Sequence, residues 1–466
     1  MKQKLVDGPA SFFRSGFVSG RFFPIPLIVI LTAAFALNLF YPGFAPAAVS
    51  GEDSPAYAKN RLAYKNFMKS MQHLTQNDFK DIDRAAGYIS KAELSDEELR
   101  QLTEYGGKIY DKYKAEIDTL IKNYDEILSA GNPVPSEAKY AALRSSSPVI
   151  DYRYTRSIVR VLAAVSRRLE SEKRYDEALK LSTLAWRFGQ IIQSGDGEAS
   201  MLITAMIGIA VKNIATQQNI CRILIAGEFD AEFHEKYSAR LLKLIDDEMD
   251  MSQIMYCERR SFINVFEYEV FVKSNIKTEY SEMVDKIPAD RLEEGKKYSV
   301  DIFNAYYDSV SVYLTKYKDE PYNLRTHIEK MSREIAERGQ PSLWKMLNPV
   351  KSVGDILLAI AIPNFARAYE QFLRSKYYPY GAAVLAKTLA GVKRGAAVPD
   401  SLEALEKLCA IKLIPDYFNE KKGPLVYKKT DGHFILYSYG TDYRDDKGDW
   451  EKDIILFKIP AGYKGE

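Results

Sequence analysis

The hydrophobic period of this chain changes once, and that change constrains the fold more than any other feature. From about residue 57 to about residue 390, apolar residues recur at three- and four-residue spacing, the mark of helices with one buried stripe. Beyond Pro415 the period falls to two. Residues 425–427, 434–437 and 454–457 read as strands, and residues 429–432 hold the Asp-Gly pair of a hairpin turn. The expected fold is mainly α: an N-terminal membrane helix, a multi-helix domain, then a long helix with a small antiparallel β-sheet at the C-terminus.

The helical domain is expected over residues 50–350. Residues 57–80 and 92–129 predict helices, and Gly/Pro- and Ser/Pro-rich stretches mark a sub-boundary at 131–148. A helical hairpin follows. Ile158, Val161, Leu162, Val165 and Leu169 share one face, with Arg156, Arg160 and Arg167 elsewhere. The next helix, 175–192, is apolar on two faces, which suits a central position. Residues 174–179 resemble one unit of a tetratricopeptide repeat, but no repeat period accompanies them. Residues 201–211 are nearly all apolar yet too short for a bilayer, so a buried core helix is expected. Further helical stretches are read at 254–275 and 300–316. A new helix is expected to open at Asp355 and end near Gly395, with a capping box at 400–403 ahead of Leu405. Residues 355–466 form the expected α+β module.

The N-terminus reads as a targeting segment. Lys2, Lys4, Arg14 and Arg21 lie in a cytoplasmic n-region, 1–21, ahead of an apolar signal anchor or signal peptide at 22–44. The long n-region and flanking prolines favour a retained anchor in the inner membrane. Ala45, Pro46 and Ala47 offer the alternative, export after signal cleavage. Either places the bulk of the chain on the periplasmic side. The net charge of +2 supplies no surplus for a phosphate backbone, so no nucleic-acid partner is expected. Cys221, Cys257 and Cys409, with four scattered histidines, form no zinc spacing.

Between the last two strands, Asp442, Asp445, Asp446, Asp449 and Asp453 crowd one loop. Such carboxylates repel one another unless solvent, a cation or basic neighbours neutralise them. Calcium is the most natural cation for carboxylate and carbonyl oxygens. The alternative is a solvated loop whose aspartates face Arg444, Lys447 and Lys452. The EF-hand template does not apply, since Lys447 stands at its glycine position and Arg444 at its third.

An ordered set of residues extends the reading: Pro399, Asp400, Ser401 and Leu402 with Leu405, then Pro415 and Asp416, Pro424 with Tyr427, the run 436–442, and Asp453 with Ile454. It resembles the C-terminal region of the major pseudopilin of type II secretion systems, over roughly residues 355–458. The resemblance implies a calcium site that holds the C-terminal strands together, with Asp442 and Asp453 as side-chain ligands and carbonyls near Tyr439 completing the shell. Asp446 and Asp449 are further candidates from this loop's own chemistry. Arg21 stands where that family carries a glutamate, so the resemblance is confined to the C-terminal quarter. The whole layout resembles large uncharacterised bacterial envelope proteins bearing this module.

No catalytic motif is found. Gly-x-Ser-x-Gly, His-Glu-x-x-His and phosphate-binding glycine loops are absent from the sequence. His234 and Glu235 read as a solvated helix face, Glu258, Arg259 and Arg260 as an ion-paired face, Cys257 as a buried thiol and Trp186 as core. The sequence reading is a non-catalytic envelope protein with protein partners and a helical assembly domain. An envelope hydrolase with a novel helical catalytic domain, and an atypical component of a type II secretion or pilus-like assembly, are the alternatives.

Overall fold

The computed structural model describes residues 94–129, 155–194, 202–271, 284–285, 287–340, 348–361 and 365–464. The expected membrane segment at 22–44, the helix at 57–80 and the boundary at 131–148 lie outside these residues. No helix among the described residues is long and apolar enough to cross a membrane.

The described chain is mainly helical with one small sheet. Helices α1 (Asp96–Lys112), α2 (Lys114–Lys122) and α3 (Tyr124–Ser129) divide the region read as one helix over 92–129. Ser95 opens α1 with a capping box to Glu98. The hairpin is α4 (Thr155–Ser171) and α5 (Tyr175–Gln193). Its turn closes with Lys173 at φ 61° and the Arg174 N–H on the Leu169 carbonyl at 2.9 Å. Burial of Leu179, Leu184, Trp186, Phe188 and Ile191 confirms that α5 is covered on both faces.

The apolar helix α6 (Leu202–Ala215) packs on α5. It runs through a π turn (Thr216–Ile220) into α7 (Cys221–Ala226). Then come α8 (Ala231–Asp246), α9 (Met251–Val265) with a second π turn (Phe266–Val270), α10 (Leu292–Lys316) and α11 (Pro321–Gly339).

The helix expected to open at Asp355 begins earlier, as α12 (Pro349–Ala361). Proline suits a first helical position because its missing N–H would have had no partner there. Next is α13 (Phe365–Lys393), a long helix that continues through Pro379. The short helix α14 (Leu402–Cys409) is capped by Ser401, not by Asp400 as the capping-box reading required. Ser401 is extended, and its hydroxyl accepts the Ala404 N–H at 3.2 Å.

Strands β1 (Val426–Thr430), β2 (His433–Ser438) and β3 (Ile454–Pro460) form an antiparallel meander in the order β1-β2-β3. Asp431 and Gly432 both take positive φ at the first hairpin, as a two-residue primed turn requires. The register shifts after Leu436, which pairs with Phe457 while Tyr437 pairs with Ile455. Leu456 is thereby the extra residue of a bulge.

That bulge meets the helical body. A Cβ at Gly381 of α13 would lie 2.6 Å from the Leu456 Cβ and 2.8 Å from its carbonyl oxygen. Only glycine lets helix and strand approach so closely. The same carbonyl accepts the Cys221 thiol of α7 at 3.6 Å. Elsewhere on α13, the Ala383 carbonyl accepts the Ser238 hydroxyl of α8 at 2.8 Å. One apolar core accordingly runs from Ile109 in α1 to Ile459 in β3, and α13 belongs to both the helical body and the sheet.

Candidate cation-binding loop

Alternation along β2 points Phe434 and Leu436 into the main core, whereas Ile435 and Tyr437 enter a separate small cluster with Ile455. Every β2 residue after His433 is nonetheless buried. The cover on the outer face is the acidic loop itself, residues 439–453. Trp450 packs against the small cluster. Gly448, at φ 78°, sits so close that a Cβ there would lie 2.6 Å from the Ile435 Cδ1. Lys428 of β1 lies over the Tyr437 ring, its Nζ donating to the Lys447 carbonyl at 3.0 Å.

The five aspartates do different work within this layer. Asp453 is buried and accepts the Gly448 N–H at 2.6 Å and the Asp446 N–H at 3.3 Å. Burial raises its pKa, and Asp445 and Asp446 raise it further. Asp445 accepts the Tyr437 hydroxyl at 2.9 Å and pairs with Lys447 at 3.0 Å. Asp446 pairs through Oδ1 with Lys452 at 2.9 Å, while its buried Oδ2 has no hydrogen-bond partner among the described residues. Asp442 and Asp449 turn back on their own segments, accepting the N–H groups of Arg444 and Glu451 at 3.1 and 2.9 Å.

Two further groups tie the loop down. Asp416, fully buried before β1, accepts the N–H of Tyr439 at 2.9 Å and of Phe418 at 3.0 Å, and the Ser438 hydroxyl. Burial pushes its pKa up to about 6 despite these donors. Tyr443 reaches the other way: its hydroxyl donates to Glu370 of α13 at 2.7 Å, and its ring meets Tyr322 and Phe418.

For a hard cation the fit is therefore at the inner end of the loop. The partnerless Asp446 Oδ2 is the oxygen such an ion would satisfy, with Asp453 bonded to the same loop backbone. The Tyr439 backbone is anchored at Asp416. Asp442 and Asp449 stand at solvent-facing turns, and of the three basic residues of the solvated-loop alternative, Lys447 and Lys452 bind aspartates through their side chains, while Arg444 meets Asp442 through its backbone N–H. Among the described residues, no three His, Cys, Asp or Glu side chains gather as a ready ligand set.

Several readings outside the loop change. His234 is not on a solvated face: it is fully buried, edge-on to Phe229 and Phe233, with its pKa pushed down to about 4 mainly by burial. Its neighbour Glu235 is half-buried and paired with Arg394 at 2.8 Å. Of Glu258 and Arg259, the arginine pairs outward with Asp308 at 2.6 Å. Glu258 turns inward, accepts the Leu202 N–H at the start of α6 at 2.8 Å, and has its pKa raised to about 7 by burial. Helical periodicity alone did not distinguish these orientations, because which faces of a helix are covered depends on the segments that pack against it. Cys257 and Trp186 are buried as expected.

Sequence reading also missed two groups. One is Asp416, visible only as part of a resemblance. The other is an ion pair between Lys212 of α6 and Glu248 after α8, both buried. A lone lysine closing the apolar run 202–211 was the available signal. Desolvation holds the Lys212 pKa well below its ordinary value. Comparison with family models, with curated proteins and with solved structures finds no match to this chain.

Proposed function

We propose that the chain is a non-catalytic protein of the bacterial envelope, held at the inner membrane through residues 22–44. Its helical body serves assembly or partner binding on the periplasmic side, and a calcium ion stabilises its C-terminal loop. The observation that carries the cation is the buried Asp446 Oδ2 without a hydrogen-bond partner among the described residues, in a loop that Gly448 and Trp450 pack onto the sheet. Leaving a buried carboxylate oxygen unpaired is costly, and a hard cation offsets that cost. Asp446 and Asp453 would hold the ion, with the Tyr439 carbonyl, while Asp442 and Asp449 lie at the rim. When bound, the ion supplies positive charge and no chemistry.

The test is a calcium titration of the intact, detergent-solubilised chain followed by thermal melting. Wild type should gain several degrees, about 1–3 kcal/mol of linkage at saturating calcium. Asp446→Asn and Asp453→Asn should lose the gain. An unmoved wild-type melt excludes the cation.

A second reading, an atypical component of a type II secretion or pilus-like assembly, is favoured by the order of elements: long helix, short helix, antiparallel meander, with the acidic loop between the last two strands. In-cell crosslinking that recovers secretion subunits would support it, and recovery of none would count against it.

A further inference from the structure

Lys212 of α6 and Glu248, in the link between α8 and α9, are in direct contact, with side chains 0% and 1% exposed. The ammonium carries three N–H donors. Its one hydrogen-bond partner among the described residues is Glu248 Oε1. The other carboxylate oxygen, Oε2, is buried and has no hydrogen-bond partner among the described residues. A buried ion pair is stable when further hydrogen bonds satisfy what the pair leaves over. Here those bonds are missing on both sides, so the charges are poorly compensated.

Helix α5 holds the two groups together. A Cβ at Gly189 of α5 would lie 2.6 Å from the Lys212 Cγ, and one at Gly208, a turn earlier on α6, would lie 2.4 Å from the Gly189 carbonyl oxygen. The lysine stem is thereby laid across α5 where the two backbones approach most closely. On the other side, the Gln190 Nε2 of α5 donates to the Leu244 carbonyl at 2.7 Å and the Gln193 Nε2 to the Met249 carbonyl at 3.4 Å. These bonds fix the chain on either side of Glu248. Groups held in contact by a rigid frame react as if at very high concentration. Burial, with the charge of Lys376 of α13 added, holds the Lys212 pKa well below its ordinary value. A desolvated lysine near a second cation is a nucleophilic amine.

We propose that Lys212 and Glu248 condense to an isopeptide bond, a covalent staple between α6 and the α8–α9 link. Nζ attacks the Glu248 Cδ; the Nζ–Cδ bond forms and one Cδ–O bond breaks. Of the three ammonium protons, one stays on the amide nitrogen and two leave with the oxygen as water. The ion pair supplies every atom, and nothing is oxidised or reduced. Two buried charges become one neutral amide, so the desolvation that opposes the pair favours the product. The staple joins residues 36 apart, in a chain whose three cysteines are free.

Tryptic digestion of the intact, detergent-solubilised chain, read by mass spectrometry, tests this. An acylated Lys212 is not cleaved, so residues 188–222 should appear joined to 244–259, one water lighter than the two peptides together. Fragmentation should place the junction at Lys212 and Glu248. Recovery of 188–212 and 244–259 as separate peptides at full mass overturns the bond. Proton transfer within the pair, which neutralises both charges without a bond, gives that second result. Lys212→Arg keeps the charge but has no amine to acylate, and it should yield only the separate peptides. A joined species in Lys212→Arg, or a wild-type junction at any other residue, also overturns the proposal.

Discussion

The carboxylate of Asp453 accepts the backbone N–H of Gly448 at 2.6 Å. Gly448 in turn lies on Ile435 and Tyr437, on the face of the sheet turned away from α13. One side chain at the start of β3 thereby fixes where the acidic loop lands. Asp453→Ala leaves two amides without acceptors, which should cost about 2–4 kcal/mol. Hydrogen exchange should show lost protection at Asp446 and Gly448 first, with α5 and α8 unaffected.

The approach of α13 to the bulge at Leu456 admits no side chain at Gly381. The atoms a methyl would meet include the Leu456 carbonyl oxygen at 2.8 Å, which cannot rotate away. Gly381→Ala should lower stability by about 1–3 kcal/mol, although alanine is the better helix former. A variant as stable as wild type in urea would show that sheet and helix are not locked there.

Lys212 and Glu248 form a buried pair that desolvation penalises from both sides. Lys212→Met alone should cost about 3–5 kcal/mol, because it strands the Glu248 carboxylate. The double change Lys212→Met with Glu248→Leu should recover most of that loss. A double-mutant cycle on the denaturation midpoint measures the coupling; purely additive losses would mean that the two do not act as a pair.

Glu258 sets a pH dependence of known sign. Its folded pKa is about 7, raised above the ordinary 4.5 by burial. A raised acid contributes stability that is present below the unfolded pKa and lost as pH rises through the folded one. Wild type should lose stability between about pH 5 and pH 7, by on the order of 3 kcal/mol for this group. Glu258→Gln keeps an acceptor for the Leu202 N–H and should flatten this part of the profile. Urea midpoints at pH 5, 6 and 7 decide it; identical slopes for the two proteins would rule the assignment out.

Much of the fold was legible in local pattern. The alternation at 425–427, 434–437 and 454–457 and the Asp-Gly turn located the meander, since a period of two and a positive-φ pair are properties of the backbone itself. The two apolar faces of residues 175–192 placed α5 at the centre of the body. The candidate loop was legible as a cluster of five aspartates, but not as a layer. Which oxygens are capped, paired or left bare depends on Gly448, Lys428 and Asp416, which lie outside any spacing rule. Helix starts misread at Asp355 and Asp400 turned on single residues, Pro349 at the first position of α12 and Ser401 as the cap of α14.

The sequence by itself determined the order and type of the elements, the crowding of charge in the last loop, and the absence of a basic surplus, because each is a local or summed property. Tertiary structure decided the rest. It turned His234 and Glu258 inward, gave Glu170 of α4 to Arg222 of α7, and folded the acidic loop over Ile435 and Tyr437. Burial and pairing are relations between distant segments, and the energy that selects among them comes from water excluded by neighbours that no local window contains.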